Sequence, residues 1–124
     1  MSLETFCRKP LVKVELDTSI IEACELMAQN NIGSLVVEQN GKLCGILTDR
    51  DIALRVAGKG KDSQTTRVKE IMTPDPIRIS ADKDLPQLTA LMHAYHVRRI
   101  PIVDDFDRTV GIVTLDDVIC TDRR

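Results

Sequence analysis

The pattern Gly-apolar-apolar-Thr-x-x-Asp occurs twice in this chain, as GILTDRD from Gly45 and as GIVTLDD from Gly111. The copies are 66 residues apart, because 111 − 45 = 66, in a chain of 124 residues. A repeat of this length constrains the fold strongly, since each copy must form one supersecondary unit. The sequence therefore predicts two copies of one fold unit, with related sites at the two patterns.

Apolar positions support the same division when the sequence is aligned with itself at an offset of 65 residues. One extra residue in the second turn then changes the offset to 66, which aligns the two patterns. A unit of about 60 residues is marginally stable alone, so the halves are expected to pack on each other. The matched apolar pairs are Val12 with Ile77, Val14 with Ile79, Ile20 with Leu85, Leu26 with Leu91, Ile32 with Val97, and Leu35 with Ile100.

Within each copy the pattern predicts the order strand, helix, strand, turn, strand, helix. LVKVEL alternates as a half-buried strand does, and apolar residues over 20–28 recur at helical spacing. Ser19 and Glu22 are spaced as a capping box, and Asn40-Gly41 predicts a tight hairpin. The predicted boundaries are residues 7–57 for the first copy, 58–70 for a linker, and 71–122 for the second copy.

The threonine and aspartate of the repeated pattern have two interpretations. In the structural one, Thr48 caps a helix and Asp51 closes a capping box. In the functional one, the same carboxylate accepts hydrogen bonds from both hydroxyls of a ribose. Spacing alone leaves both interpretations open.

Composition excludes several classes of function. A net charge of −2 and a pI near 5.7 provide no broad positive field for nucleic acid or anionic lipid. No apolar run approaches the roughly 20 residues of a membrane span, and MSLETFCRKP lacks the apolar region of a signal peptide, so a cytoplasmic location is expected. The four cysteines lack the close pairs of zinc sites, and His93 with His96 offers a metal only two ligands. No metal site is predicted.

Long segments of the two copies resemble a tandem pair of CBS domains, named after cystathionine beta-synthase and together called a Bateman module. The resemblance extends over about residues 7–122 and is carried by AQNNIGSLVVEQNGKLCGILTDRDI, by MHAYHVRRIPIVDDFDRTVGIVTLDDV, and by EIMTPDPIRIS before the latter. It implies an α/β (α+β) fold of two β-α-β-β-α repeats packed sheet to sheet around a pseudo-twofold axis. In many members, adenosine-containing ligands occupy the two resulting clefts.

The resemblance also implies residues for each cleft. Thr114 and Asp117 would hold ribose in the second cleft, as Thr48 and Asp51 would in the first. Pro101 favours the second cleft, and the guanidinium of Arg98 suits a phosphate there. The residues implied around the base are Ile77, His96, Val97, Arg98 and Pro101 in the second copy, and Val12, Asn31, Ile32, Gly33 and Leu35 in the first.

The function implied is a non-catalytic regulatory module that binds adenine nucleotides, with AMP or ATP as first choice and ADP included. No cofactor is required, and we expect a homodimer with a possible protein partner, without nucleic acid or membrane. No serine, histidine and acid are spaced for catalysis, so no enzyme activity is predicted. Two alternatives stay open: a structural dimerisation module without ligand, and the same fold sensing NAD or S-adenosylmethionine.

Overall fold

The computed structural model describes the backbone of residues 3–7 and 11–122 and the side chains of residues 3–7 and 11–119. The chain forms two compact units. The first unit is Val12–Pro76, and the second combines the described part of residues 1–11 with that of residues 77–124. Each unit contains a small sheet and helices, which confirms the predicted mixed α/β class.

The first unit has a four-stranded sheet in the order β1-β2-β3-β4. Strand β1 runs parallel to β2, whereas β2 with β3 and β3 with β4 are antiparallel. The hairpin joining β2 to β3 turns at Asn40 and Gly41, both at positive φ, as predicted. Its elements are β1 (Lys13–Glu15), α1 (Ile20–Asn30), β2 (Ser34–Gln39), β3 (Lys42–Thr48), α2 (Asp49–Arg55), α3 (Val68–Ile71) and β4 (Thr73–Pro74).

The second unit has a three-stranded sheet in the order β5-β6-β7. Strand β5 is parallel to β6, and β6 is antiparallel to β7, so the connections repeat those of the first unit. A short 3-10 helix, Leu3–Phe6, precedes both units in the chain and belongs to this one. The remaining elements are β5 (Ile79–Ser80), α4 (Leu85–Tyr95), β6 (Arg99–Val103), β7 (Thr109–Thr114) and α5 (Leu115–Asp122).

Side-chain caps fix where the long helices begin. Ser19 Oγ accepts a hydrogen bond from the Glu22 N–H at 3.3 Å at the start of α1. At the start of α4, Asp84 and Gln87 form a reciprocal capping box. Such caps satisfy N–H groups that a helix leaves unpaired in its first turn.

The stretch predicted as a linker is tied to the first unit. The carbonyl of Thr66 accepts the Ile20 N–H at 3.0 Å, and that of Ser63 accepts the Ile21 N–H at 3.0 Å. Asp62 closes the local turn by accepting the Gln64 N–H at 2.8 Å. The connection between the repeats therefore also caps α1.

Each unit has its own apolar core, built from the inward faces of its sheet and helices. Fully buried Ile20, Leu35 and Leu47 anchor the first core, and fully buried Leu88 and Ile100 anchor the second. Burying one such side chain contributes roughly 1.5–3 kcal/mol. The cores therefore fix the strands whose ends carry the repeated pattern.

The segment that precedes each repeat packs in the unit of the other repeat. Leu3 is fully buried in the second core, and Val68, 65 positions later, is fully buried in the first. Cys7 lies against Gly111 in the same way that Met72 lies against Gly45, and a Cβ at either glycine would overlap that side chain. The glycines of the repeated pattern are thus required by a close approach, and residues 3–7 are part of the fold.

Candidate functional site

The pair Thr114 and Asp117 lies where β7 passes into α5. Asp117 Oδ2 accepts the Thr114 N–H at 3.0 Å and the Thr114 hydroxyl at 2.8 Å. The Asp117 N–H in turn donates to Thr114 Oγ1 at 3.2 Å. Both residues are half-buried. These bonds fix the carboxylate in place before any ligand arrives.

The pair Thr48 and Asp51 has matching geometry where β3 passes into α2. The Thr48 N–H donates to Asp51 Oδ2 at 3.0 Å, and the Asp51 N–H donates to Thr48 Oγ1 at 3.1 Å. The capping interpretation is therefore confirmed at this pair. We call these two arrangements the Thr–Asp pairs.

Arg55 distinguishes the first Thr–Asp pair from the second. Its Nε lies 4.0 Å from Asp51 Oδ1, and its η1 nitrogen donates to the Ile71 carbonyl at 2.8 Å. The residue at the corresponding position of the second repeat is the uncharged Thr121. Our sequence interpretation missed Arg55, although its i,i+4 spacing from Asp51 is a recognised signal for an ion pair.

The residues that precede β2 and β6 are held beside the Thr–Asp pairs. The Gly33 carbonyl accepts the Asp49 N–H at 3.0 Å, and the Arg98 carbonyl accepts the Leu115 N–H at 2.7 Å. The strand register also aligns Ser34 with Thr48 and Arg99 with Thr114. Gly33 and Arg98, both predicted site residues, therefore occupy equivalent positions next to the two carboxylates.

The predicted residues Asn31 and His96 end helices α1 and α4 in the left-handed conformation. Their φ angles are 52° and 55°, and both residues are exposed. A residue with a Cβ tolerates this region at a cost of roughly 1–2 kcal/mol. The following residues, Ile32 and Val97, donate to the Met27 and Met92 carbonyls at 3.0 Å each. The two repeats thus turn identically towards their sites.

Pro101 changes the hydrogen bonding of the second site. In the first unit the Val36 N–H donates to the Val12 carbonyl at 3.1 Å. Pro101 occupies the position of Val36 and has no N–H, so the Ile77 carbonyl, which corresponds to that of Val12, lacks this donor. Pro101 itself is buried and paired with Ile112. The second unit therefore lacks one strand hydrogen bond that the first unit has.

The remaining predicted site residues contribute apolar surface. Ile77 and Val97 pack against the second core, and Val12 and Ile32 pack against the first. The side chain of Leu35 is fully buried in the first core.

Other reactive residues form no metal cluster within the described part of the chain, where no group of three or more His, Cys, Asp or Glu side chains converges. The His93 and His96 rings are 6.4 Å apart between centroids. Burial raises the pKa of the Cys24 thiol, and the charge of Glu25 raises it further. The side chain of Cys120 lies outside the described residues. Nor does any helix in the described ranges have the length and apolar character to cross a membrane.

Two α/β units that each carry the same Thr–Asp pair where a strand passes into a helix define a tandem-repeat protein with two equivalent candidate ligand sites. The chain belongs to the CBS domain family, because the model of the CBS domain matches residues 3–58 and 68–121. The family predicted from the repeated segments is therefore confirmed.

Similar proteins include a chain of comparable length and a much longer enzyme. The chain is 42% identical over 105 residues to the CBS domain-containing protein YhcV of Bacillus subtilis (strain 168), with 85% of this chain and 74% of YhcV covered. It is 37% identical over 112 residues to inosine-5'-monophosphate dehydrogenase of Methanocaldococcus jannaschii, with 90% of this chain but 21% of the enzyme covered. The match to the enzyme is therefore confined to about a fifth of its length.

Among solved structures, one similar fold is the CBS domain pair of protein MJ0100, crystallised in complex with 5'-methylthioadenosine and S-adenosyl-L-methionine. The TM-score is 0.84 and the sequence identity 31%, with 98% of both chains covered.

Proposed function

We propose that this chain is a non-catalytic regulatory module that binds an adenosine-containing ligand at the Thr–Asp pair of each repeat, with AMP or ATP as first choice. The observation that carries the proposal is the prepositioned carboxylate, which belongs to a capping box with the same two hydrogen bonds in both units: the threonine N–H donates to the carboxylate, and the aspartate N–H donates to the threonine hydroxyl oxygen. If the Thr–Asp pair served only to cap a helix, the capping box would be sufficient. It would not require Gly33 or Arg98 to lie beside the pair.

The chemistry of an adenosine ligand fits the residues around each pair. Asp117 accepts hydrogen bonds from the ribose hydroxyls, and its position is already fixed, so little ordering cost accompanies binding. Ile77 and Val97 offer half-buried apolar surface to the base. The Ile77 carbonyl, which Pro101 leaves without a strand donor, is a suitable acceptor for an exocyclic amine.

Regulation requires that the ligand bind one arrangement of the protein better than another. We propose a homodimer as the assembly that responds, with a further protein partner as a possible recipient, in the cytoplasm and without nucleic acid or membrane. Leu54 of α2 is 53% exposed and Ile119 of α5 is 41% exposed, so both helices present apolar side chains that a second copy would bury. Analytical ultracentrifugation with and without ligand tests this: a monomer in both conditions contradicts the homodimer.

The second candidate ligand is S-adenosylmethionine or a related compound without phosphate. The CBS domain pair of MJ0100, 31% identical to this chain, was crystallised with such molecules. These compounds and AMP both contain adenosine, and the Thr–Asp pair would contact only that part. The pair alone therefore does not discriminate between AMP and S-adenosylmethionine.

A thermal-shift panel tests the proposed function. The compounds are AMP, ADP, ATP, NAD, S-adenosylmethionine and 5'-methylthioadenosine. A ligand at about one hundred times its dissociation constant stabilises the fold by roughly 2.7 kcal/mol, which gives a clear rise in melting temperature. Asp51→Asn and Asp117→Asn should each remove part of the rise, whereas Asp116→Asn, at a neighbouring exposed position, serves as the matched control. A panel without any shift would leave a structural dimerisation module as the better account.

A further inference from the structure

The two candidate sites differ in the charged residues at two equivalent positions. Gly33 and Arg98 each precede the central strand of their repeat, and each accepts the N–H of the residue that follows the threonine of the pair. The second repeat therefore has an exposed arginine at this position, and the first has a glycine without a side chain.

The Asp49 carboxylate fills the place that the side chain of residue 33 would take. A Cβ built at Gly33 lies 3.0 Å from Asp49 Oδ2 and 3.6 Å from Oδ1. The residue that corresponds to Asp49 in the second repeat is the apolar Leu115. The first repeat thus has Gly33 and Asp49 where the second has Arg98 and Leu115, so a negative residue replaces a positive one near the Thr–Asp pair.

Two arginines of the first unit, Arg50 and Arg55, are close to Asp49 in the sequence. Arg55 is held between Asp51 and the Ile71 carbonyl. Arg50 is exposed, and its backbone N–H donates to Asp49 Oδ1 at 2.8 Å. The second repeat starts its central strand with Arg98 and Arg99, whereas the first starts it with Gly33 and Ser34.

We infer that the two sites select adenosine compounds of different charge: the first site takes one whose 5' substituent is neutral or cationic, and the second takes a 5'-phosphorylated one. The inference rests on the proposed function, restricts its first choice of AMP or ATP to the second site, and assigns a different chemical class to the first. Asp49 repels a phosphate at the first site, and Arg98 pairs with a phosphate at the second.

Isothermal titration with AMP and 5'-methylthioadenosine tests the inference on the full chain at low salt. Asp117→Asn isolates the first site and Asp51→Asn isolates the second. The readout is the ratio of the AMP dissociation constant to that of 5'-methylthioadenosine. The expected ratio is well above one in Asp117→Asn and well below one in Asp51→Asn, and added salt should bring both towards one because it screens the charges.

Further substitutions identify the residues responsible. Adding Asp49→Asn to Asp117→Asn should lower the ratio about fivefold, the upper range for an exposed charge pair. The matched control is Asp116→Asn in the same background, which removes a carboxylate from the other unit and should leave the ratio unchanged. Adding Arg98→Gln to Asp51→Asn should raise the ratio about tenfold, as expected for a charged hydrogen bond. Melting without ligand verifies folding, and Asp49→Ser replaces any Asp49→Asn variant that fails to fold.

Three results would overturn the inference. Equal ratios of the two dissociation constants in Asp117→Asn and Asp51→Asn would show that the sites do not select ligands by charge. The proposed function would remain intact. A rise of the ratio on adding Arg50→Gln to Asp117→Asn would show that the first site does hold phosphate, through Arg50. Absence of binding by the wild type to either probe would reject the proposed function and the inference together.

Discussion

At the scale of single residues, the two glycines of the repeated pattern show how much the sequence determines. The repeat itself predicted the Thr–Asp pairs, because a box of four residues depends on local geometry alone. The contact of Gly111 with Cys7 could not be predicted from the sequence. The two residues are 104 positions apart (111 − 7 = 104), and no local pattern links them. The left-handed φ of His96 could not be predicted either, because glycine is the usual sequence signal for that conformation and His96 is not a glycine.

Substituting these glycines should cost different amounts of stability. In Gly111→Ala the new methyl meets both Sγ and Cβ of Cys7, close to its backbone, whereas in Gly45→Ala it meets the flexible end of Met72. We expect Gly111→Ala to lower the free energy of unfolding by roughly 1–3 kcal/mol, and Gly45→Ala by less. Urea unfolding measures both. Met72→Ala should relieve the Gly45→Ala penalty, and an equal or larger cost at Gly45 would contradict the described contacts.

At the scale of elements, the order of strands and helices could be predicted from the apolar periodicity and the capping residues. The length of each strand could not. The parallel strand β5 has two residues where β1 has three, because Pro101 provides no donor where Val36 does. The sequence predicted the stretch 58–70 only as a linker. The carbonyls of Ser63 and Thr66 in this stretch also satisfy the first N–H groups of α1, a role that backbone atoms perform without a side-chain signature.

The turn between β6 and β7 should respond to acid. Asp104 accepts the N–H groups of Arg108 and Phe106, and these bonds, with the Arg108 guanidinium, lower the pKa of its carboxyl. A lowered pKa in the folded state means that this stabilisation is complete above the ordinary carboxyl pKa and is lost as the pH falls through the lowered one.

Asp104→Asn should therefore be less stable than the wild type at neutral pH, and the difference should narrow as the pH falls below the folded-state pKa of Asp104. Chemical unfolding at a series of pH values measures it, with Asp105→Asn at the exposed neighbouring position as the control. A difference that widens in acid would contradict this sign.

At the scale of the whole molecule, each unit takes in the segment that precedes the other repeat. The 65-residue offset that aligns Val12 with Ile77 also aligns Leu3 with Val68. The aligned segments Leu3–Phe6 and Val68–Ile71 are each only four residues long, so their similarity is too short to recognise in the sequence. Which unit each segment packs in depends on long-range contacts. The order of elements followed from the repeat, and the site residues proposed near each Thr–Asp pair followed from the family resemblance. This exchange and the position of Asp49 beside Gly33 needed coordinates.

The exchange makes a residue at the start of the chain important for stability. Leu3 is fully buried in the second core, so Leu3→Ala should cost roughly 2–5 kcal/mol, as large truncations in cores do. Glu4→Ala, at the exposed next position, is the control. Thermal unfolding compares them, and a Leu3→Ala variant as stable as the control would show that the segment does not pack as described.

The most direct measurement of the central claim is the number of adenosine compounds bound per chain. Isothermal titration with AMP and with 5'-methylthioadenosine should find two sites in total on the wild type, one on Asp51→Asn, one on Asp117→Asn, and none on the double variant. Binding by the double variant with the affinity and stoichiometry of the wild type would contradict the assignment of the ligand sites to the two Thr–Asp pairs.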